Sequence, residues 1–418
     1  MPALLSTLLM TLLLLAPDLG ARENAVIRVG TSGDYAPFSL ALEGDEIVFE
    51  GFDIAVARAF AEAHGYELVP KRFRWSNLSQ SLEAGRFDIA MSGVTIIPDR
   101  SAIGRFSIPV VETGAVVLVR EPERHPNLES LNRSTVRIGV NAGGYLERVA
   151  SARFRKATLL TIPDNAAVLD ALSTGNVQAV VSDTAEASLW LGATPGAGQL
   201  GPITRDRKAY LVRADRPDLA AQLDRWLLAR EADGTLAAVR ELYLGASAGP
   251  AVATPLTALL AAVDERLSLM PLIAVSKREA GLPLVVPRRE AIVLDAAVAA
   301  VADAATAAAI AAPPATSLVR AFFRAQIEAS KQVQWSALKD PDFVRPDDPP
   351  DVGKVLRPAL IRIGEKIARL IVALPTGLDP REVRRAASDQ LRTPHLTESS
   401  QQAIADAIAA LSGGATDQ

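Results

Sequence analysis

AVIRVGT at residues 25–31 is a short β-branched run, and FDIAVARAFAEAHG at 52–65 follows it with apolar residues at helical spacing. YELVPKRF at 66–73 and FDIAMSGV at 87–94 return to strand-like runs. Strands that alternate with amphipathic helices are typical of open, mostly parallel sheets. The first hundred residues therefore predict an α/β fold.

A second set of strand-like runs follows the first and extends the α/β pattern to about residue 245. It comprises AVVLVRE at 115–121, VRIGVN at 136–141, ATLLTI at 157–162 and VQAVVSD at 177–183. Helical stretches separate these runs, as they separate the runs of the first set. The repeated pattern predicts two similar α/β lobes.

The pattern changes after SAGPAVAT at 247–254, which is small and rich in Pro, Gly and Ala and is typical of a linker. Beyond it the apolar residues keep a helical period. The Ala-rich run from Ala291 to Ala312 is interrupted by Asp295 and Asp303 and predicts a packed helix instead of a membrane span. We expect six helices, at about 254–280, 288–311, 314–337, 353–374, 379–392 and 396–412.

The composition narrows the classes of partner and chemistry. With 418 residues, 49% of them hydrophobic, the chain has enough apolar mass for two or three globular domains. A net charge of −4 without a basic face disfavours nucleic acid. Because the chain has no Cys and its three His residues lie far apart, we expect no metal site and no cofactor.

LLSTLLMTLLLLA at residues 4–16 is too short to span a bilayer but has the length of a secretory signal core. We expect cleavage near Ala21, which makes residues 1–21 a signal peptide. The expected location is the bacterial periplasm or the medium, with no membrane attachment once the signal is removed.

Spacing in the helical part brings polar residues together. Arg266 and Lys277 are 11 residues apart and so lie within about 20° on one helix face. Ser330 and Gln334 stand one turn apart on a later helix. Each of these residues taken alone is more often a solvated surface group, so spacing leaves both a pocket and an ordinary surface open.

Four motifs of the helical part resemble the secreted helical chorismate mutases over about residues 252–414. They are VDERLSLMPLIAVSKREAGLP at 263–283, PRREAIVL at 287–294, FFRAQIEASKQVQW at 322–335 and DVGKVLRPAL at 351–360. The resemblance implies an all-α bundle that binds chorismate and dimerises through this domain. It assigns the substrate carboxylates to Arg266, Arg289 and Arg357, the ether oxygen to Lys277 and Gln334, and substrate positioning to Glu290 and Ser330.

Motifs of the first part resemble the extracellular solute-binding proteins for amino acids, whose two lobes close over a small ligand. IRVGTSGDYAPFSL at 27–40, RFDIAMSGVTIIPDR at 86–100 and FSIPVV at 106–111 carry the likeness. It implies that Arg100 holds a ligand carboxylate, that Ser92 and Thr95 supply hydroxyls, that Asp183 holds an amino group, and that Tyr35 and Trp75 line the cleft. Ordinary core packing is the alternative for both aromatic residues.

Further motifs resemble the cyclohexadienyl dehydratases, an enzymatic branch of that fold. RWSNL at 74–78, VNAGG at 140–144, IPDN at 162–165 and KAYL at 208–211 recur in them at matching separations. This resemblance implies that Glu186 protonates the departing hydroxyl of prephenate.

Two places depart from the dehydratase pattern, namely Ala115, where the family has Lys, and Tyr145-Leu146, where it has Thr-Asn. Lys208 or Arg120 could supply the missing charge, and the backbone amides of Gly143 and Gly144 could bind a carboxylate.

The sequence thus predicts a type II periplasmic-binding-protein fold followed by a chorismate mutase bundle. The domain boundaries are 25–246, 247–253 for the linker and 254–414, with lobe 1 at about 25–112 and 205–246 and lobe 2 at about 113–204. The leading hypothesis is a bifunctional enzyme that makes prephenate from chorismate and phenylpyruvate from prephenate, with arogenate as a further substrate. The alternative is an active mutase fused to a binding module that does not turn over its ligand.

Overall fold

The computed structural model describes residues 25–245, 249, 252, 254–341, 343 and 345–413. The expected signal peptide at 1–21, most of the expected linker and residue 414 lie outside the described residues. Three parts follow one another in the described chain: two α/β lobes and a helical bundle.

The first lobe is built on a five-stranded sheet with the order β5-β1-β6-β15-β7. A small antiparallel sheet of β2, β3 and β4 lies beside it. Its strands are β1 Ala25–Thr31, β2 Asp34–Tyr35, β3 Ser39–Leu42, β4 Val48–Glu50, β5 Tyr66–Arg72, β6 Ile89–Ala90, β7 Gly104–Phe106 and β15 Leu211–Arg213, and its helices are α1 Phe52–His64, α2 Leu78–Glu83, α3 Pro98–Ile103, α8 Pro217–Ala232 and α9 Thr235–Leu244.

The second lobe repeats this design with the strand order β11-β10-β12-β9-β13. Its strands are β9 Ala115–Val119, β10 Arg137–Asn141, β11 Thr158–Ile162, β12 Ala179–Asp183 and β13 Gly198–Leu200, and its helices are α4 Leu128–Leu131, α5 Tyr145–Arg153, α6 Asn165–Ser173 and α7 Thr184–Ala193. Parallel pairs in both sheets need the helical crossovers that the alternating sequence pattern indicates.

Two short strands carry the chain between the lobes. β8 at Val111–Thr113 leaves the first lobe and β14 at Asp206–Lys208 returns to it, and the two pair antiparallel with Lys208 opposite Val111. We refer to this pair as the hinge strands. Because both crossings lie side by side, the lobes can move relative to each other about one line.

The helical bundle contains α10 Pro255–Ser268, α11 Met270–Glu279, α12 Pro287–Ala307, α13 Thr316–Lys339, α14 Arg357–Val372, α15 Pro380–Gln390 and α16 Glu398–Ser412. The helix expected at 254–280 is divided after Ser268. Pro271 explains the division, because it has no N–H to continue the helical hydrogen bonds. A π-helical turn at Val352–Leu356 precedes α14. Among the described residues, no helix has the length and apolar character that crossing a membrane requires.

The bundle and the first lobe share one apolar core. Ile108 and Leu227 of the first lobe belong to the same buried cluster as Leu260, Ile367 and Leu370 of the bundle. The second lobe keeps buried clusters of its own around Ile138 and Val180. The bundle is therefore packed onto one lobe and leaves the other lobe with a separate core.

Two candidate active sites

A cleft lies between the two α/β lobes, and contacts across it hold the lobes together. The Lys208 ammonium lies 3.0 Å from an Asp183 oxygen, and the Asn165 side-chain amide donates to the Asp34 carbonyl at 3.2 Å. These contacts describe a closed conformation. The cleft is lined by Tyr35, Trp75, Gly93, Thr95, Arg100, Asn141, Gly144, Tyr145, Leu146, Asn165 and Lys208.

Arg100 is held in the cleft by α3, which starts at Pro98. Its side chain is 6% exposed, donates to the Thr95 carbonyl at 3.1 Å and lies over the Trp75 ring at 5.7 Å. Burial, with a smaller contribution from the Arg148 charge, lowers the pKa of Arg100 to about 10. The guanidinium is still charged at neutral pH and can bind a carboxylate in the fork geometry that arginine favours.

Lys208 is the second cation of the cleft. Its ammonium lies 3.1 Å from the Tyr35 hydroxyl and 3.0 Å from the Thr95 hydroxyl. Asp183, its ion-pair partner, stands opposite Ala115 in the β12–β9 register. Lys208 therefore brings its charge to the neighbourhood of Ala115.

Arg120 does not share this position. It follows the end of β9 and its backbone amide bonds Gln178, at the opposite end of the sheet from Asp183. Of the two cations that the sequence suggested in place of the family Lys, the structure brings only Lys208 to the cleft.

Asp183 has both of its oxygens occupied. It caps α7, with Oδ1 accepting from the Ala185 and Glu186 amides at 2.9 and 3.1 Å. Oδ2 accepts from the Tyr35 hydroxyl and pairs with Lys208. In the closed cleft no oxygen of Asp183 is left for a ligand amino group unless Lys208 or Tyr35 moves.

Glu186 lies behind the cleft wall, at 2% exposure. One carboxyl oxygen bonds the side-chain amide of Asn165, which lines the cleft, and the other is 2.6 Å from the Ser182 hydroxyl. Burial raises the pKa of Glu186 well above the ordinary glutamic acid value, and the nearby Asp183 charge raises it further. The group is therefore protonated at a pH where an exposed glutamate is ionised, as a general acid requires.

Two residues suggested as ligand contacts are engaged elsewhere. Ser92 is fully buried, and its hydroxyl accepts from the Ser32 amide at 3.0 Å, so it is not among the lining residues. The Gly143 amide donates to Glu147 at 2.6 Å, which occupies it, whereas Gly144 lines the cleft. Of the two glycines, only Gly144 contributes to the cleft wall in this conformation.

Asn141 and Asn165 line the cleft but were not identified as site residues from the sequence. Both stand inside the motifs VNAGG and IPDN, which carried the resemblance to the dehydratases. Their position within those motifs is the sequence signal that points to these two residues. Leu146 also lines the cleft and gives one wall an apolar surface where the family has an amide.

The second candidate site lies inside the helical bundle. The Arg266 guanidinium donates to the Ser330 hydroxyl at 3.0 Å, and the Lys277 ammonium donates to the Gln334 oxygen at 3.3 Å. Because Ser330 and Gln334 are one turn apart on α13, the two cations bond to successive turns of the same helix. Arg266 is buried, and burial lowers its pKa to about 10.

Gln334 is oriented by its neighbours. Its oxygen accepts from Lys277, while its amide nitrogen donates to the Ser330 carbonyl at 3.1 Å and lies 3.6 Å from the Met270 sulfur. Lys277 also donates to the Leu284 carbonyl at 2.9 Å. Among the described residues, both hydrogen-bond partners of the Lys277 ammonium are neutral groups.

The remaining residues predicted for this site surround Lys277 less closely. Burial first and the Arg357 charge second lower the pKa of Lys277, and Glu290 raises it, so both groups act on its ammonium. Glu290 also pairs with Lys331 at 3.3 Å. Arg357 is exposed at the start of α14, and Arg289 is half-buried in the first turn of α12. Arg289 directly precedes Glu290 in the sequence and forms no ion pair with the described residues.

Residues 27–246 match the bacterial extracellular solute-binding proteins, family 3. This chain belongs to that family. Residues 257–335, which span α10 to most of α13, match chorismate mutase type II, and we call the helical bundle that contains them the mutase domain. The predicted fold class, a two-lobed solute-binding fold followed by a helical mutase domain, is confirmed.

Three members of the family are similar in sequence to the solute-binding domain. A cyclohexadienyl dehydratase of Pseudomonas aeruginosa is 35% identical over 227 residues, which cover 53% of this chain and 84% of the relative. The ABC transporter arginine-binding protein 1 of Escherichia coli is 27% identical and covers 54% and 94%. A solved ancestral amino acid-binding protein, described as a precursor of cyclohexadienyl dehydratase, is 29% identical, with a TM-score of 0.50 and coverage of 53% and 96%.

Proposed function

We propose that the protein is a bifunctional enzyme. The mutase domain rearranges chorismate to prephenate, and the solute-binding domain converts prephenate to phenylpyruvate. The observation that carries the second activity is the buried Glu186, whose raised pKa keeps it protonated directly behind a cleft lined by Arg100 and Lys208. The product of one domain is the substrate of the other, and tethering raises its effective concentration.

In the mutase domain, catalysis follows from charge placement. The rearrangement is pericyclic and needs no nucleophile or proton transfer, so the enzyme holds the folded conformer and stabilises negative charge on the ether oxygen. Lys277 and Gln334 supply donors for that oxygen. Arg266, Arg289 and Arg357 bind the two carboxylates, and Ser330 and Glu290 position the substrate.

In the cleft, the reaction is an elimination that requires an acid. The ring carboxylate leaves as carbon dioxide, and its bonding electrons enter the ring while the bond to the ring hydroxyl breaks. Once the Asn165 side chain that covers it moves aside, Glu186 donates a proton to the departing oxygen, which leaves as water, and the glutamate then takes a proton from solvent. Arg100 and Lys208 bind the two carboxylates of prephenate, with Lys208 supplying the charge that Ala115 lacks. Tyr35, Trp75, Thr95 and Gly144 complete the contact surface.

The charge distribution of the cleft favours prephenate over arogenate. Prephenate brings two carboxylates and no amino group, and the cleft presents two cations. Arogenate brings an ammonium group, whose natural acceptor would be Asp183. Because both oxygens of Asp183 are already occupied, that ammonium would have to displace Lys208.

The alternative function is a mutase fused to a binding module without turnover. The apolar Leu146 in the cleft wall favours it, as does the 27% identity to an arginine-binding protein. The two functions differ in one product. Purified protein is given chorismate and, separately, prephenate, and phenylpyruvate is followed by its absorbance. Phenylpyruvate above the acid-catalysed background supports the dehydratase, and prephenate that binds but persists supports the binding module.

We further propose export to the periplasm or medium and a homodimer formed through the mutase domain. The family match to extracellular proteins supports the export. Cell fractionation with a cytoplasmic marker tests the location. Light scattering of the purified chain across a range of concentrations tests the oligomer, since a mass near 44.2 kDa throughout would exclude the dimer.

A further inference from the structure

Three consecutive residues of α10 reach three different parts of the molecule. They are Asp264, Glu265 and Arg266, and all three are buried. Consecutive helical residues point about 100° apart, so one turn of helix can contact three surroundings. Arg266 enters the mutase pocket and bonds Ser330, while its two neighbours bond the solute-binding domain.

Glu265 bonds the helix that carries Arg100. One of its oxygens accepts from the Ser101 hydroxyl at 2.9 Å, and Ser101 directly follows Arg100 on α3. The other oxygen pairs with the Lys366 ammonium at 2.5 Å, and Lys366 also donates to the Phe106 carbonyl at 3.1 Å. The side chains of Lys366 and Glu265 are only 6% and 2% exposed, so the pair is shielded from solvent.

The end of α3 is also held by the mutase domain. Arg362 of α14 donates to the Ala102 carbonyl at 2.6 Å and to the Gly104 carbonyl at 3.2 Å. The Ala102 carbonyl is one that the helix end leaves without a helical partner, and Gly104 is the first residue of β7. The helix that positions Arg100 is therefore fixed at Ser101 and at its C-terminus by residues of the other domain.

Asp264 bonds the hinge strand that carries Lys208. Its Oδ2 lies 2.7 Å from Arg207, and its Oδ1 accepts from the Arg392 and Thr393 amides at 2.7 and 2.8 Å. Neighbouring side chains of a strand point to opposite sides. Arg207 thus faces the mutase domain while Lys208 faces the cleft.

We propose that Asp264 and Glu265 are positioning residues of the cleft, which hold its two cations in place from within the mutase domain. This inference rests on the proposed function, because it takes prephenate to be the ligand of Arg100 and Lys208. Glu265 acts through Ser101 on Arg100, and Asp264 acts through Arg207 on Lys208. The cleft is therefore complete only when the mutase domain is docked.

The decisive variants are Ser101→Ala, which removes the hydroxyl that donates to Glu265, and Glu265→Gln, which removes the negative charge that Ser101 and Lys366 share. Each loosens Arg100 and weakens carboxylate binding before and during reaction alike, so we expect the prephenate KM to rise about tenfold while kcat stays within about twofold. The double variant should be no worse than the more damaging single variant, because both changes act on the same Ser101–Glu265 contact. Asp264→Asn should raise the same KM through Lys208.

The matched control is Arg369→Gln. Arg369 pairs with Asp224 at 3.3 Å across the same domain interface, and Asp224 bonds the Ile108 amide instead of α3 or a hinge strand. We expect its prephenate KM to equal that of the wild type. A purely structural loss would lower the melting temperature and the active fraction in all variants without raising KM selectively. If Glu265→Gln does not fold, Ser101→Ala, which keeps the Glu265–Lys366 pair, gives the answer.

The positioning role is overturned if Ser101→Ala and Glu265→Gln both retain the control's KM. Failure of the proposed dehydratase activity is seen separately, as an absence of phenylpyruvate from the wild type. In that case calorimetric titration with prephenate, in a Lys277→Ala background that weakens the mutase pocket, still reports on the cleft. A tenfold loss of affinity on adding Ser101→Ala supports the positioning role, and unchanged affinity refutes it.

Discussion

The cations of the two candidate sites have different partners, although the proposed substrates carry the same charge. In the mutase pocket, Arg266 and Lys277 bond neutral partners and form no ion pair with the described residues. In the cleft, Lys208 already pairs with Asp183. The first site holds its cations ready for a dianion, whereas one cation of the second site is already shared with an internal carboxylate. Two sites with similar numbers of cations can therefore differ in how much of that charge is available to a ligand.

The largest difference between the two activities is expected from Glu186→Gln. The amide keeps the shape but cannot give up a proton, so phenylpyruvate formation should fall about 10³-fold while mutase activity is unchanged. Both rates are measured on one preparation by absorbance. Undiminished phenylpyruvate production would remove Glu186 from the mechanism.

Lys277→Ala should have the converse effect, with loss of mutase activity and no loss of dehydratase activity. Loss of the donor to the ether oxygen should lower the mutase kcat about 10²-fold, the usual cost of one such donor. Added prephenate should still be converted at the wild-type rate. Parallel loss of both activities would mean that the variant damages the fold or that the sites are not separate.

The pH profiles should also separate the two sites. The raised pKa of Glu186 means that its acid form is present below that pKa, so dehydratase activity should fall as the pH rises through it. Mutase activity should stay flat between about pH 6 and 8, because Gln334 is neutral throughout. A tenfold mutase decline over that range would contradict the role of Gln334.

Stability should follow the same titration. A carboxyl group whose pKa is raised on folding contributes stability that is fully present below its ordinary pKa and is lost as the pH rises through the raised value. The melting temperature of the wild type should therefore decline with rising pH more than that of Glu186→Gln. Equal slopes for the two proteins would show that Glu186 does not titrate as its burial indicates.

The smallest effect is expected in substrate choice. Because the arogenate ammonium must compete with Lys208 for Asp183, kcat/KM should be about tenfold higher for prephenate than for arogenate. Phenylpyruvate and phenylalanine are measured in parallel under the same conditions. Equal efficiency would mean that the Lys208–Asp183 pair opens without cost and would bring the two sites closer in behaviour.

The fold class could be predicted from the sequence because its signal is local. The alternation of strands and helices up to residue 245 and the helical period after residue 254 each reflect burial within a few turns. Ser330 and Gln334 could be paired for the same reason, since i and i+4 positions of one helix are neighbours. The division of the first mutase helix was missed, although Pro271 was its visible cause.

The closed cleft could not be predicted in this way, because its contacts join distant residues. Lys208 and Asp183 meet only after the hinge strands bring the lobes together, and Ala115 alone suggested two candidate cations. Ser92 fits the family pattern by spacing, yet its hydroxyl is used by Ser32. The contacts of Asp264 and Glu265 with the other domain correspond to no periodic pattern in the sequence.

The apolar core that the first lobe shares with the mutase domain bears on how such a chain can evolve. Loss of the mutase segment would remove part of the buried cluster that includes Ile108 and Leu227 of the first lobe, and apolar surface exposed there would favour aggregation. The two domains can therefore no longer be exchanged as independent cassettes by recombination. Once this core had formed, the fusion became difficult to reverse, whatever advantage first joined the two activities.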